Sequence, residues 1–152
     1  MKVLVIGYGN PLREDDGVGW VAAEAVGNAV TMFPGTQIDV ETVHQLLPEL
    51  ADPISLADLV IFIDAAVSGK PGEILQHVVM PQGEKPGAFS HQVGPAGLLE
   101  SARVLYGRFP PAYLFTITAA QMGYSETLSP AVAAALPHLF AHIDALIRSM
   151  GD

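Results

Sequence analysis

Asp16, Asp64, His44 and His91 are the residues of this chain whose types and surroundings allow metal binding or proton transfer. Two carboxylates and one imidazole make a facial ligand set for a divalent ion. Such oxygen and nitrogen ligation suits several first-row metals and does not select one. It also leaves coordination positions open, which catalysis or recognition of a metal carried by a partner requires. Each residue has a plainer reading beside this one. Asp16 ends the run Glu14-Asp15-Asp16, and acidic residues at a helix start are favoured by capping and by the helix dipole. Asp64 follows an apolar run. A carboxylate there must be solvated, hydrogen-bonded or metal-bound, because burial without a partner is costly; it can equally cap the turn that follows. The remaining histidines read as structural. His138 and His142, four residues apart, share a face of the last helix, and His77 falls in an edge strand.

The elements that must position these residues alternate between strand-like and helix-like segments. Residues 2–7 are a short branched run ended by glycine, as in a buried strand. Val18, Val21, Ala22, Ala25 and Val26 give the apolar spacing of a helix over 16–30, with Asp15 or Asp16 capping its start. Residues 37–43 alternate as a strand does, and 46–57 read as a helix with prolines near both ends. Residues 59–64 form a continuous apolar run, as in a central parallel strand. A turn through Gly69, Pro71 and Gly72 leads to a strand over 73–79, followed by a loop over 80–90. A helix over 93–106, a last strand over 112–119 and a helix over 130–149 complete the chain, with Pro130 in the first turn of that helix. Strands separated by helices predict a mostly parallel sheet covered on both faces. Ligands of such sheets bind beyond the carboxyl ends of the strands. The segments from Gly7 to Gly19, from Val43 and His44 onward, at Asp64, and from Thr118 to Gln121 are therefore expected on one edge.

Length and composition narrow the function classes. The 152 residues fit one domain, residues 1–152, and half of them are hydrophobic, so a substantial core is expected. With no cysteine, thiolate catalysis, disulfides and cysteine-based metal centres are excluded. A net charge of −9 leaves no basic face for nucleic acid; it suits a basic peptide or a cation, or serves solubility. No apolar run in the sequence approaches the roughly 20 residues of a membrane span. The apolar stretch at the N-terminus breaks at Gly7, too early for a signal peptide. A cytoplasmic protein is expected. Gly7-Tyr8-Gly9 begins like a dinucleotide fingerprint, but position 12 is Leu and Pro11 removes a backbone donor, which argues against nucleotide binding.

The run from Val3 to Gly19, with Gly7-Tyr8-Gly9-Asn10-Pro11-Leu12-Arg13-Glu14-Asp15-Asp16-Gly17 at its centre, resembles the opening signature of the hydrogenase maturation endopeptidases. The resemblance continues through Leu59-Val60-Ile61-Phe62-Ile63-Asp64-Ala65 and Ser90-His91-Gln92, in order over nearly the whole chain. It implies a three-layer α/β/α sandwich around a five-stranded, mostly parallel sheet with one antiparallel strand, for which 73–79 is the candidate. It implies cleavage of a C-terminal extension from the large-subunit precursor of a nickel–iron hydrogenase after nickel insertion. It further implies metal-ligand positions at Asp16, Asp64 and His91, with nickel supplied by the substrate and no organic cofactor. The enzyme is expected to be a monomer. Many members carry an Asp in a glycine-rich segment after strand two; here that segment reads Val43-His44-Gln45-Leu46-Leu47-Pro48. This form resembles the subgroup serving cytoplasmic bidirectional hydrogenases. With no serine, cysteine or threonine nucleophile in view, water is the expected attacking group and His44 the candidate catalytic base. The rival readings are a nickel-sensing chaperone that does not cut, and a stand-alone metallopeptidase.

Overall fold

The computed structural model describes residues 1–83 and 93–151. Strands β1 (Lys2–Tyr8), β2 (Gln37–Val43), β3 (Leu59–Ala66), β4 (Ile74–Val79) and β5 (Ala112–Thr118) are interleaved with helices α1 (Val18–Asn28), α2 (Ala51–Leu56), α3 (Pro95–Tyr106) and α4 (Pro130–Gly151), except that β4 follows β3 directly. The five strands form one sheet in the order β2-β1-β3-β5-β4. All neighbours are parallel except β4 and β5, so the antiparallel strand is the one expected from the resemblance.

The apolar runs are continuous because both faces of the sheet are covered. Successive side chains of a strand point to opposite faces. Val3, Val5, Ile61, Ile63, Phe115 and Ile117 therefore pack with α1 and α4. Leu4, Ile6, Val60 and Phe62 pack with Ile54 of α2 and with Leu98, Leu99 and Ala102 of α3. The result is three layers. Burying each such large side chain contributes roughly 1.5–3 kcal/mol.

Three elements differ from the sequence reading. The helix expected over 16–30 begins as a 3-10 turn at Glu14–Gly17 and is α-helical only from Val18 to Asn28. Its first free N–H groups are taken up elsewhere: Glu14 N–H donates to the Ser125 carbonyl at 2.8 Å and Asp15 N–H to that of Gln121 at 3.2 Å. The expected caps are absent, since neither Asp15 nor Asp16 bonds the start of its own helix. The helix expected over 46–57 shrinks to Ala51–Leu56 after a 3-10 turn at Pro48–Leu50, because Pro48 and Pro53 lack donors. β3 runs two residues past Asp64, its last pair being Ala66 with Thr118 of β5.

α4 is also more apolar than the sequence reading allowed. Its 22 residues reach the length and hydropathy of a membrane span. Its apolar stripe of Val132, Ala135, Leu139, Ile143, Leu146 and Ile147 is nonetheless buried against the sheet, and His138 and His142 lie on its exposed side.

Candidate active site

β1 is the strand at which the sheet order reverses: the chain leaves it for β2 on one side, and β3 lies on the other. At such a switch point the connections diverge to opposite faces and leave a crevice at the carboxyl edge. A cleft of about 450 Å³ opens there, lined by residues from five segments, among them Tyr8, Asp16, His44, Asp64 and Pro95. The sheet register explains the convergence. Tyr8, the last residue of β1, pairs with Val43, the last of β2. Gly7 pairs with Ile63, the residue before Asp64.

Two glycines let the first loop fold back onto this edge. Gly9 has φ +135°, a backbone conformation that side chains disfavour, and a Cβ there would sit 2.2 Å from the Asp16 carbonyl oxygen. At Gly19 a Cβ would meet the Ile63 carbonyl oxygen at 2.4 Å. The N-terminus of α1 thus lies directly on the ends of β1 and β3. Asp16 is then fixed by the Asn10 N–H, which donates to its carboxylate at 2.8 Å.

Asp64 carries the clearest electrostatic signature. Burial, reinforced by the negative charge of Asp16, pushes its carboxyl up to about 6, against the lowering effects of the Ala65 N–H and the Tyr8 hydroxyl. The Ala65 N–H donates to it at 2.8 Å, so the turn-capping reading of Asp64 holds for one oxygen. Tyr8 is raised above its ordinary range by burial and then by the Asp64 charge. No lysine or arginine is among the described residues that line the cleft. Two carboxylates sharing a partly buried site without a counter-charge are suited to receive a cation.

His44 lines the same cleft, directly after β2. Trp20, the chain's one tryptophan, holds this segment in two ways. Its indole N–H donates to the Val43 carbonyl at 2.9 Å, and its ring meets the His44 imidazole edge-on, with centroids 5.3 Å apart and planes at 84°. His91 lies outside the described residues; Val93, the first described residue after it, lines the cleft. Among the described residues no cluster of three or more ionisable metal-ligating side chains occurs. His77 is exposed on the edge strand β4, away from the cleft.

Asp15, by its sequence position a local cap, does something larger. It is fully buried and accepts four hydrogen bonds from the β5–α4 segment: Ala120 N–H at 2.8 Å, Gln121 N–H at 3.0 Å, Ser129 N–H at 2.7 Å and Ser129 hydroxyl at 2.7 Å. Burial opposes its ionisation, and these bonds outweigh it, holding the carboxyl below its ordinary value. Arg13 adds a second tie. Its guanidinium donates to the Met122 and Gly123 carbonyls and lies 4.8 Å from the ring centroid of Tyr124. The first and last loops of the carboxyl edge are therefore one unit. The roles of Tyr8, Trp20 and Arg13 rest on contacts that are distant in sequence. Tyr8 alone had a readable signal, its place at the end of the first strand.

An apolar hollow of about 340 Å³ between α1 and α4 has Asp144 as its one ionisable lining residue and offers no comparable donor set.

No family model matches the sequence, and no curated protein matches it. The fold does have solved counterparts. The hydrogenase maturating endopeptidase HybD from E. coli superposes with a TM-score of 0.75 at 24% identity, over 99% of this chain and 94% of that one. The [NiFe] hydrogenase maturation protease HybD from Thermococcus kodakarensis gives 0.70 at 23% identity, over 97% and 99%. The maturation protease HycI from the same organism gives 0.73 at 20% identity, over 97% and 92%. At these identities the likeness is one of fold.

Proposed function

We propose that this chain is a cytoplasmic, monomeric endopeptidase that removes the C-terminal extension of a nickel–iron hydrogenase large-subunit precursor once nickel has been inserted. The observation that carries this reading is the uncompensated pair Asp16 and Asp64, which shares with His44 a cleft at the switch point. The fold shared end to end with solved maturation endopeptidases supports it. Nickel arrives as part of the substrate. Asp16 and Asp64 would meet it from this side of the cleft, with His91, assigned on the sequence resemblance, as the third ligand. The metal contact registers the scissile bond beside His44. His44 takes a proton from water as the water oxygen bonds to the peptide carbonyl carbon. The same proton then goes to the leaving amine as the C–N bond breaks.

Intact-mass analysis of the nickel-loaded precursor incubated with this protein tests the reading. The expected products are a shortened large subunit and the free extension, with nickel-free precursor left whole. A His44→Ala variant is expected to lose at least about 100-fold in rate, as removal of a general base does. Unchanged precursor mass despite tight binding would instead make the chain a chaperone.

A further inference from the structure

The proposed base, His44, is exposed. An exposed imidazole samples several rotamers, and proton transfer needs one of them held within hydrogen-bond reach of the attacking water. The peptide unit that leads into His44 is fixed by two donors. The Val43 carbonyl accepts the Gly9 N–H at 3.1 Å and the Trp20 indole N–H at 2.9 Å. The next amide after Gly9, that of Asn10, holds the Asp16 carboxylate, so one turn ties down both the start of the His44 segment and Asp16. The imidazole itself is met edge-on by the Trp20 ring.

Packing of the fold does not account for a tryptophan at this place. Its α1 neighbours Val18, Gly19, Ala22 and Ala23 are buried. Trp20 is half-buried and, among the described residues, belongs to neither of the apolar clusters that cover the sheet. Its two specific contacts both go to the Val43-His44 dipeptide.

We propose that Trp20 is a positioning residue: it holds the His44 imidazole in the orientation that takes the proton from the attacking water. It does so by fixing the peptide before His44 and by packing against the ring. The inference rests on the proposed function and deepens it, with His44 supplying the chemistry and Trp20 the geometry. A misplacement of about 1 Å can cost on the order of 100-fold in rate. Loss of the Trp20 contacts, with the Gly9 tie still in place, is expected to cost about tenfold.

The test compares Trp20→Leu and Trp20→Phe, each in the parent and in a His44→Ala background, on the nickel-loaded precursor. Trp20→Leu is expected to lower kcat about tenfold with KM unchanged. Trp20→Phe keeps a ring against the imidazole and is expected to recover most of that loss. In the His44→Ala background Trp20→Leu should cost nothing more, because a residue that acts through His44 has nothing left to position. A second readout needs no substrate. The His44 ring protons of the free protein, assigned by their loss in His44→Ala, should be displaced by the indole ring current. In Trp20→Leu they should move toward those of the exposed His138 and His142. A parent-like kcat in Trp20→Leu, a rise in KM in place of the fall in kcat, an equal loss without His44, or unmoved His44 signals would overturn the role of Trp20. A parent that never cuts the precursor would sink the endopeptidase reading, and the His44 signals would still decide whether Trp20 orients this side chain.

Discussion

Replacing Asp64 by asparagine is expected to make the free protein more stable above neutral pH, by about 2 kcal/mol, while abolishing its work on the precursor. The stability gain follows from linkage. Burial and the neighbouring Asp16 raise the folded-state carboxyl from its ordinary 3.8 to about 6. The folded state therefore holds this proton more tightly than the unfolded chain. The stability so contributed is fully present below about pH 4 and is lost as pH rises through about 6. Above that, the parent carries a partly buried charge that the amide lacks. A shift of this size is worth up to about 3 kcal/mol, reduced to about 2 by partial exposure of the site. The amide oxygen still accepts from the Ala65 N–H, so that backbone donor keeps its partner. Denaturant titration at pH 5 and pH 8 checks this: variant and parent converge toward the acid side and separate by roughly 2 kcal/mol at pH 8. On nickel-loaded precursor the same variant loses at least about 100-fold in processing, since even residues behind a ligand cost 10–100-fold. A pair that destabilises its own fold is the trade expected of a functional site. Equal stability at pH 8 would remove the claim that the pair is uncompensated.

Asp15→Ala is expected to act in the opposite way, through the fold. Its carboxylate takes four donors in a fully buried position. Alanine leaves three backbone N–H groups and a hydroxyl without their acceptor, at about 1–3 kcal/mol for each group that stays buried. Opening of the loop lets water reach some of them, so the net loss is about 3 kcal/mol, or roughly 6–12 °C in Tm for a domain of this size. Asp15→Asn tests the charge separately. The carboxyl is held below its ordinary value, so the stability it contributes is present above the unfolded value and is lost as pH falls through the depressed folded value. The gap between parent and Asp15→Asn should therefore be full at pH 7 and close in acid. A gap that is constant with pH would mean that the ionised form is not what the loop binds.

How much of this was readable from sequence depends on the range of the interaction. β1 and β3 were legible because strands buried on both faces read as unbroken apolar runs ending in glycine or a carboxylate. The carboxyl edge was legible too, because connection rules alone send the segments after β1, β2, β3 and β5 to one side. They place Asp16, Asp64 and His44 together, as found. The role of Asp15 was not legible. Locally it sits where a capping residue belongs, and its true partners are 105 to 114 positions away. Trp20 hid for a related reason, since its helical spacing says nothing of an indole N–H that reaches the end of β2. Helix lengths near Pro48 and Pro53 were overestimated because apolar spacing outlasted the available backbone donors.

The central claim is that Asp16 and Asp64 read the substrate's metal. It is tested most directly by measuring the affinity of the parent and of an Asp16→Asn, Asp64→Asn double variant for nickel-loaded and nickel-free precursor. The parent is expected to favour the loaded form at least about tenfold, a coupling of about 1.4 kcal/mol, and the double variant to bind both forms alike. A parent that does not distinguish the two forms, or a double variant that keeps the preference, would contradict it.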